Sequence, residues 1–232
     1  DDLPLEDWLR QHIWPAEGRF VSREFVRDGV RLAMAEMLRC GTTAFNEMYF
    51  FPEEIAETAR RAGMRATVGV PVIDVPTPWA NGIDECLNLA REFVEAMASE
   101  PLISPSLAPH APYTVDDAGL ARVAALASQH GIKVGMHLLE ASWERRQSIA
   151  EHGTDPLRRL DALGLLSDGL QAVHMVHLEP PDLKLLAERG VHCIHCPESN
   201  LKLGNGVSPV RELLAAGVNV SIGTDGAASN NN

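Results

Sequence analysis

Histidine and carboxylate side chains recur in this sequence where short apolar runs end. His137 is followed three residues later by Glu140, and Asp225 follows the apolar run 218–222 in a Gly-Thr-Asp-Gly turn. A histidine and a carboxylate at one strand end can share a metal-bound water, with the histidine as ligand and the carboxylate as proton carrier. The pattern therefore predicts a metal-dependent hydrolytic site built from several strand ends.

Ordinary structural roles compete with these assignments at the same positions. A lone strand histidine such as His137 is more often a hydrogen-bonded core residue than a ligand. Asp225 precedes Gly226, and Asp-Gly is a common turn pair that would also suit the start of a helix. On the residues alone, both explanations stay open.

Three further histidines lie at or near expected strand ends. His174 and His177 are three residues apart, so the two-residue period of a strand cannot place both on one face. One of them can face the interior while the other ends the strand. His110 lies between Pro109 and Pro112, which stiffen the backbone, and it suits either a substrate contact or an ordinary loop.

The four cysteines support neither a disulfide framework nor a zinc site. Cys40, Cys86, Cys193 and Cys196 lie among apolar residues, and in a chain of this length we expect reduced, buried thiols. The Cys-x-x-Cys spacing of the last two lacks the second pair that would complete a zinc site. The polar, glycine-rich stretch 197–206 that follows is expected to be a loop at the rim of the fold.

Short apolar runs alternate with amphipathic segments along the chain. The runs are typical of buried parallel strands and cover 42–49, 65–72, 102–109, 133–140, 171–178, 191–197 and 219–225. Helical periodicity predicts helices over 23–39, 52–63, 83–99, 115–130, 142–152, 181–190 and 209–217. Glycines follow several of these helices, as expected for helix C-termini that lead into strands.

Seven strand-then-helix units predict an α/β fold with a parallel sheet. A doubly wound open sheet and a (β/α)8 barrel both fit this order. The barrel is favoured because polar residues end several different strands, and no Gly-x-Gly-x-x-Gly turn follows an early strand. No second domain is indicated, and the proline-containing loop 74–82 is the expected active-site flap.

Composition excludes several classes of partner. The chain has 232 residues, a net charge of −12 and a pI near 5.1. This acidity argues against sequence-independent binding to nucleic acid and against binding to an anionic membrane surface. The sequence shows no secretion signal and no run long enough to span a bilayer. We therefore expect a cytoplasmic protein with no nucleic-acid or membrane partner.

Several motifs together resemble those of the amidohydrolase superfamily. Within it, the chain is similar to 5′-methylthioadenosine/S-adenosylhomocysteine deaminases and to the related triazine hydrolases. The likeness covers nearly the whole sequence. It is carried by His137-x-x-Glu140, Ala172-Val173-His174, Cys-Pro-Glu-Ser-Asn-Leu-Lys-Leu at 196–203 and Gly-Thr-Asp-Gly-Ala-Ala-Ser-Asn at 223–230.

The resemblance implies a fold and a set of catalytic roles. It implies a (β/α)8 TIM-type barrel of the metal-dependent hydrolase kind, with one metal, usually zinc (iron or manganese as alternatives), at its C-terminal mouth. His137 and Asp225 match metal ligands. Glu140 matches the acid/base that contacts the purine ring, and His174 matches the histidine that helps to polarise the attacking water. On this ground His174 rather than His177 is expected to be functional.

The resemblance also implies a substrate class. Metal-dependent hydrolysis would release ammonia from an adenine nucleoside, namely 5′-methylthioadenosine, S-adenosylhomocysteine or adenosine. His110 matches a substrate-binding histidine, and Glu17 matches a carboxylate that holds ribose hydroxyls. The alternatives are another amidohydrolase, such as a triazine hydrolase or guanine deaminase, and a catalytically silent binding module. The resemblance further suggests a homodimer.

The sequence departs from the family pattern at its beginning. No His-x-His pair, the expected source of two further metal ligands, precedes Trp8. Residues 1–232 therefore read as a catalytic barrel domain with seven of eight strands, without the first strand and the terminal β-sandwich segments. We expect an intact mass above the 25.3 kDa of this sequence if that strand exists, and no deaminase activity if the mass equals it.

Overall fold

Seven parallel strands form one sheet in the computed structural model, which describes Leu3 and residues 5–230. The strands pair in sequence order, each with the next. Their bounds are β1 Ala44–Met48, β2 Arg65–Val72, β3 Ile103–Pro109, β4 Lys133–Leu138, β5 Leu170–His174, β6 His192–His195 and β7 Asn219–Ile222.

Helices precede the first strand and occupy the connections between successive strands. They are α1 Leu5–Trp8, α2 Trp14–Phe20, α3 Arg23–Arg39, α4 Pro52–Ala62, α5 Ile83–Met97, α6 Asp117–His130, α7 Glu144–His152, α8 Pro156–Ala162, α9 Pro180–Arg189, α10 Pro197–Lys202 and α11 Val210–Ala215, with a π-helical turn Leu9–Ile13 between α1 and α2. Helices α1 to α3 precede the first strand, and every crossover from one parallel strand to the next carries at least one of the other helices, as a βα barrel requires.

The sheet curls until strands that are not neighbours face each other. Asn46 of β1 donates from Nδ2 to Oε1 of Gln171 on β5 at 3.0 Å, although three strands lie between them in the sheet order. Glu47 of β1 is close enough to Asp225, beyond β7, for the two carboxylates to repel. The architecture is that of a (β/α)8 barrel of which seven strands are present, as predicted.

Helix α4 shows how the sequence fixes the outer layer. Ile55, Ala56 and Ala59 are spaced to share one face, and all are buried against the sheet. Glu53 and Glu54 lie in the first turn, where negative charge favours the helix dipole. The helix ends at Gly63, whose φ of 70° is left-handed and costs a glycine little.

Four sequence predictions need correction. The stretch 197–206, expected to be a loop, begins with helix α10. The predicted strand 171–178 ends at His174, because φ becomes positive there, at 75° for His174 and 50° for Met175, and two such residues in a row cannot continue a strand. Helices α1, α2 and α8 were not predicted. Cys40 is exposed, whereas the other three cysteines are buried, and all four are free thiols as expected.

None of the helices within the described part of the chain has both the length and the apolar character needed to cross a membrane.

Candidate functional site

The ring of His137 is fixed by the neighbouring strand end. Its Nδ1 lies 2.7 Å from the carbonyl oxygen of His110, and its backbone N–H donates to the same oxygen at 3.1 Å. Because a carbonyl only accepts, Nδ1 carries the proton and Nε2 is left to face the interior. Metal-binding histidines characteristically use one ring nitrogen in this way, which orients the other.

His174 stacks beside that ring at the end of β5. The two ring centroids are 5.5 Å apart with an interplanar angle of 23°. Nε2 of His174 lies 3.4 Å from Oε2 of Glu140 and 4.0 Å from Oδ2 of Asp225. Three of the residues singled out in the sequence, His137, Glu140 and Asp225, thus converge around the imidazole that ends β5, although they belong to or follow β4 and β7.

Glu140 is a buried carboxyl group in a fixed position. Its Oε1 accepts a 2.9 Å hydrogen bond from Nδ2 of Asn205, which leaves Oε2 turned toward His174. Burial, together with the nearby carboxylates of Glu144 and Asp225, raises the pKa of Glu140 well above its ordinary value. A carboxyl with a raised pKa can hold a proton near neutral pH and deliver it, as a general acid must.

The turn that carries Glu140 is held by a second buried carboxylate, Glu144. Its two oxygens accept hydrogen bonds from three successive backbone N–H groups, those of Leu139, Glu140 and Ala141, at 2.7–2.8 Å. Burial raises the pKa of Glu144 to about 7 despite these three bonds. The carboxylate replaces the strand ladder that ends at Leu138 and sets the position of the Glu140 backbone.

Asp225 lies beyond β7 and is tied to α10. Its Oδ2 accepts a 2.6 Å hydrogen bond from the Ser199 hydroxyl, and its Oδ1 accepts from the N–H of Gly226 at 2.7 Å. Burial alone would raise the pKa of Asp225. The nearby His174 and His137 rings and the hydrogen bonds from Ser199 and Gly226 hold that pKa below its ordinary value. Asp225 therefore remains a carboxylate, whereas the raised pKa of Glu140 favours its protonated form.

His110 and His174, whose rings both lie beside His137, are kept neutral by their surroundings. Burial and neighbouring histidine rings lower the pKa of His110 to about 3, and burial lowers that of His174 to about 4. His110 also lies 3.3 Å through Nδ1 from the Thr114 hydroxyl. Neutral imidazoles suit ligation or proton acceptance near pH 7.

Glu17 lies at a different strand end, next to β1. The Tyr49 hydroxyl, one residue beyond β1, donates to Oε1 of Glu17 at 2.7 Å. Partial burial raises the pKa of Glu17, and Tyr49 partly offsets that rise. The contact places a carboxylate from the N-terminal helices at the same end of the sheet as the other residues.

Strained backbone concentrates at these strand ends. Among the residues that the structure describes, five other than glycine have positive φ. Four of them lie at or just beyond the ends of β4, β5 and β7: Leu139, His174, Met175 and Asp225. Bulky residues adopt this conformation only when the surrounding structure enforces it, and such strain clusters at functional sites.

The side chains present fit one part of a mononuclear metal site. His137 is oriented as a ligand, and Asp225 supplies an ionised oxygen, but a catalytic zinc takes three protein ligands. Across residues 3 and 5–230, no group of three or more histidine, cysteine or acidic side chains is arranged to hold a metal ion. The two donors fit such a metal only together with ligands from other residues.

Sequence reasoning identified the residues that face the interior and missed those that hold them. His137, Glu140, His174 and Asp225 lie close together, and their catalytic and metal-binding roles stay predictions. Their hydrogen-bond partners Glu144, Ser199, Asn200 and Asn205 were not singled out. Nor were Glu47, whose carboxylate lies near Asp225, and Tyr49, which donates to Glu17. Ser199 and Asn200 did offer a signal, because two polar residues come shortly after the buried run ending at Cys196, behind Pro197 and Glu198.

Known proteins with similar sequences share one family and one type of name. The model of the amidohydrolase family matches residues 1–232. A 5-methylthioadenosine/S-adenosylhomocysteine deaminase from Teredinibacter turnerae is 49% identical over 231 residues, and this covers 100% of the chain and 52% of the relative. A 5′-deoxyadenosine deaminase from Methanopyrus kandleri is 42% identical over 232 residues and is covered to 53%. The chain spans about half the length of the curated relatives it matches.

Solved structures agree with this grouping. An adenosine deaminase from Xanthomonas campestris, solved with bound zinc, is 52% identical with a TM-score of 0.97, over 100% of this chain and 53% of that one. A zinc-complexed atrazine chlorohydrolase from Arthrobacter aurescens shares the fold, with a TM-score of 0.89 at 22% identity over 98% of this chain and 55% of that one. The fold and the match along its whole length show that the chain belongs to the amidohydrolase family.

Proposed function

We propose that this protein deaminates an adenine nucleoside by hydrolysis, giving the inosine-type product and ammonia. The observation that carries the proposal is the convergence of Glu140, Asp225 and His137 on His174 at the ends of β4, β5 and β7. Relatives of 42–49% identity bear the names of deaminases acting on 5′-methylthioadenosine, S-adenosylhomocysteine or 5′-deoxyadenosine. These names support the substrate class, and the site supports the chemistry.

The two carboxyl groups divide the proton transfers between them. Glu140, with its raised pKa, holds a proton and delivers it from Oε2 to a ring nitrogen of the purine. It regains a proton from the new C6 hydroxyl as that group becomes the carbonyl of the product. Asp225, with its lowered pKa, accepts the proton that the attacking water loses and passes it to the amino group leaving C6. His174 lies between the two oxygens and helps to orient the water. Pairs of carboxyls with divergent pKa values are a recurring source of such acid/base assignments.

A divalent metal is part of this proposal, with zinc as the metal and iron or manganese as alternatives. When bound, it supplies a nucleophile at neutral pH by lowering the pKa of a coordinated water. Nε2 of His137 and the carboxylate of Asp225 would hold it, and the His110 carbonyl fixes the His137 ring for that purpose. The zinc bound in the adenosine deaminase from Xanthomonas campestris supports the choice of metal.

Glu17 and His110 are proposed to bind substrate. A carboxylate held by Tyr49 can accept hydrogen bonds from two ribose hydroxyls, and a ligand without them would leave that partly buried carboxylate unpaired. We expect Glu17→Ala to raise KM for nucleosides far more than KM for a ribose-free analogue. Steady-state kinetics on both substrates check this, and equal effects would remove the ribose role.

The wider setting follows from the same proposal. Residues 1–232 contribute one catalytic barrel domain, the partner is a small nucleoside, and the protein works in the cytoplasm. Nucleic acid and membranes are not partners in this proposal. A homodimer is our prediction for the oligomeric state, and light scattering on the natural gene product tests it.

The proposal is tested by measuring ammonia release from 5′-methylthioadenosine, adenosine and S-adenosylhomocysteine. The natural gene product is used, with its intact mass recorded, because the sequence contains no His-x-His pair. Deamination of at least one nucleoside, lost on chelation of the metal, is the expected result. Chloride release from a chlorotriazine, or ammonia from guanine alone, would replace the proposal with another reaction of the family.

A further inference from the structure

Helix α10 touches both sides of the proposed site with two adjacent residues. Ser199 and Asn200 are fully buried, with no exposed surface. The Ser199 hydroxyl donates to Oδ2 of Asp225, and the Asn200 carboxamide meets Nδ1 of His174 at 2.8 Å. One short helix therefore contacts the residue beyond β7 and the residue that ends β5.

The Asn200–His174 contact can be made in two ways, which differ in where the imidazole proton lies. In the first, His174 Nδ1–H donates to Oδ1 of Asn200. Nδ2 of Asn200 is then buried without a partner, and a bare Nε2 faces Oδ2 of the ionised Asp225 at 4.0 Å. Both consequences are unfavourable, since an orphaned N–H loses its hydration and lone pairs repel.

In the second arrangement the Asn200 carboxamide is flipped by about 180°, so that Oδ1 and Nδ2 exchange places. Nδ2 of Asn200 then donates to a bare Nδ1 of His174, and the proton of His174 moves to Nε2. That proton points toward two carboxyl groups, of which Asp225 is ionised. Oδ1 of Asn200, which then takes the place of Nδ2, is left without a partner. A buried carbonyl oxygen without a partner costs less than a buried N–H without one.

We propose that α10 is the positioning element of this site: Asn200 donates from Nδ2 to Nδ1 of His174 and so keeps the His174 proton on Nε2, while Ser199 ties Asp225 to the same helix. Both are positioning residues, because they act through His174 and Asp225 rather than on substrate. The functional half of this inference rests on the proposed deamination, whereas the proton position does not.

The position of the proton is measured directly by nuclear magnetic resonance. Long-range ¹H–¹⁵N correlation on ¹⁵N-labelled natural gene product, without metal or substrate, distinguishes a protonated from a bare ring nitrogen. The His174 signals are assigned by their loss in His174→Gln. We expect a protonated Nε2, a bare Nδ1, and a coupling across the hydrogen bond between Nδ1 and Nδ2 of Asn200. A protonated Nδ1 would overturn the proposal, and would mean that a protonated Glu140 donates to His174 instead.

The positioning role is measured by kinetics on variants of α10. Removing a hydrogen-bond partner one step from the reacting groups characteristically costs about 10–100-fold, so Asn200→Ala and Ser199→Ala should each lower kcat by that factor with little change in KM. Leu201→Ala, at a residue of α10 that is 63% exposed, is the matched control and should leave both constants unchanged. Unchanged kcat in the folded Asn200→Ala and Ser199→Ala variants would overturn the positioning role.

The two readouts separate this inference from the proposed function. A wild-type protein that releases no ammonia, yet shows the Nε2 proton and the Asn200 coupling, would refute the deamination and leave the hydrogen-bond assignment intact. Normal circular dichroism and thermal transitions in the variants exclude loss of folding as the cause of a lower kcat.

Discussion

The central strands and the edge strands of this sheet are packed very differently. In β2, the five residues 68–72 are all buried. In β7, none of the four residues is buried, and Ile222 is 80% exposed. β1 has no buried residue either. The strands of one sheet thus form a buried centre and two open edges.

The difference teaches how the candidate site is held. His137, His174 and Glu140 come from the well-packed part and are fixed by burial and short hydrogen bonds. Asp225 comes from beside an open edge, and it is Ser199 of α10 rather than strand packing that holds it. Catalytic groups need a rigid supporting layer, and here that layer is a packed core on one side and one helix on the other.

Glu140→Gln should give the largest effect, because it removes the proton of the central carboxyl and keeps its shape. We expect kcat for nucleoside deamination to fall by about 10²–10⁴-fold, the usual range for a general acid. Ammonia release by the natural gene product measures this. Glu151→Gln on α7, the same change at an exposed residue hydrogen-bonded to Gln147, should leave kcat unchanged. Equal rates for wild type and Glu140→Gln would deny Glu140 its role.

A pair of truncations compares the centre with the edge directly. Leu107→Ala removes a side chain of β3 with no exposed surface and should lower the free energy of unfolding by about 2–5 kcal/mol. Ile222→Ala at the edge should change it by less than about 0.5 kcal/mol. Urea denaturation of both variants gives the comparison. A loss at Ile222 as large as that at Leu107 would show that the edge is covered in the natural gene product.

The smallest effect is a pH dependence in the turn that holds Glu140. The folded-state pKa of Glu144 is about 7, above the ordinary value of 4.5. Its stabilisation is therefore complete below pH 4.5 and is lost as the pH rises through 7. Between pH 6 and 8, above the pI of 5.1, the loss should be about 1 kcal/mol. Urea denaturation at both pH values should show this loss in wild type and not in Glu144→Gln, and parallel curves would contradict it.

Much of the fold was predictable because hydrophobic periodicity reports burial. The run Arg65–Val72 was assigned to a strand and 23–39 to a helix with the bounds that the structure has. Burial on both faces of β2 leaves a continuous apolar run, and α3 is delimited by its Ser22 cap, whose hydroxyl accepts from the N–H of Phe25. These signals are local, so one sequence suffices to read them.

The supporting residues of the site were not predictable in the same way. The positive φ values at Leu139 and His174 depend on tertiary contacts, and neither residue type suggests them. Glu144 lies within the predicted helix 142–152, and only the structure shows that it accepts three backbone hydrogen bonds. Asn200 and Asn205 meet partners 26 and 65 residues away in sequence, which no local pattern encodes.

The most direct test of the account is to locate the metal. Diffraction from crystals of the natural gene product grown with zinc, collected at the zinc absorption edge, places the ion without reference to activity. We expect one strong anomalous peak bonded to Nε2 of His137 and to the carboxylate of Asp225, with Glu140 and His174 beside it. A peak elsewhere, or none at this end of the sheet in zinc-saturated protein, would contradict the account.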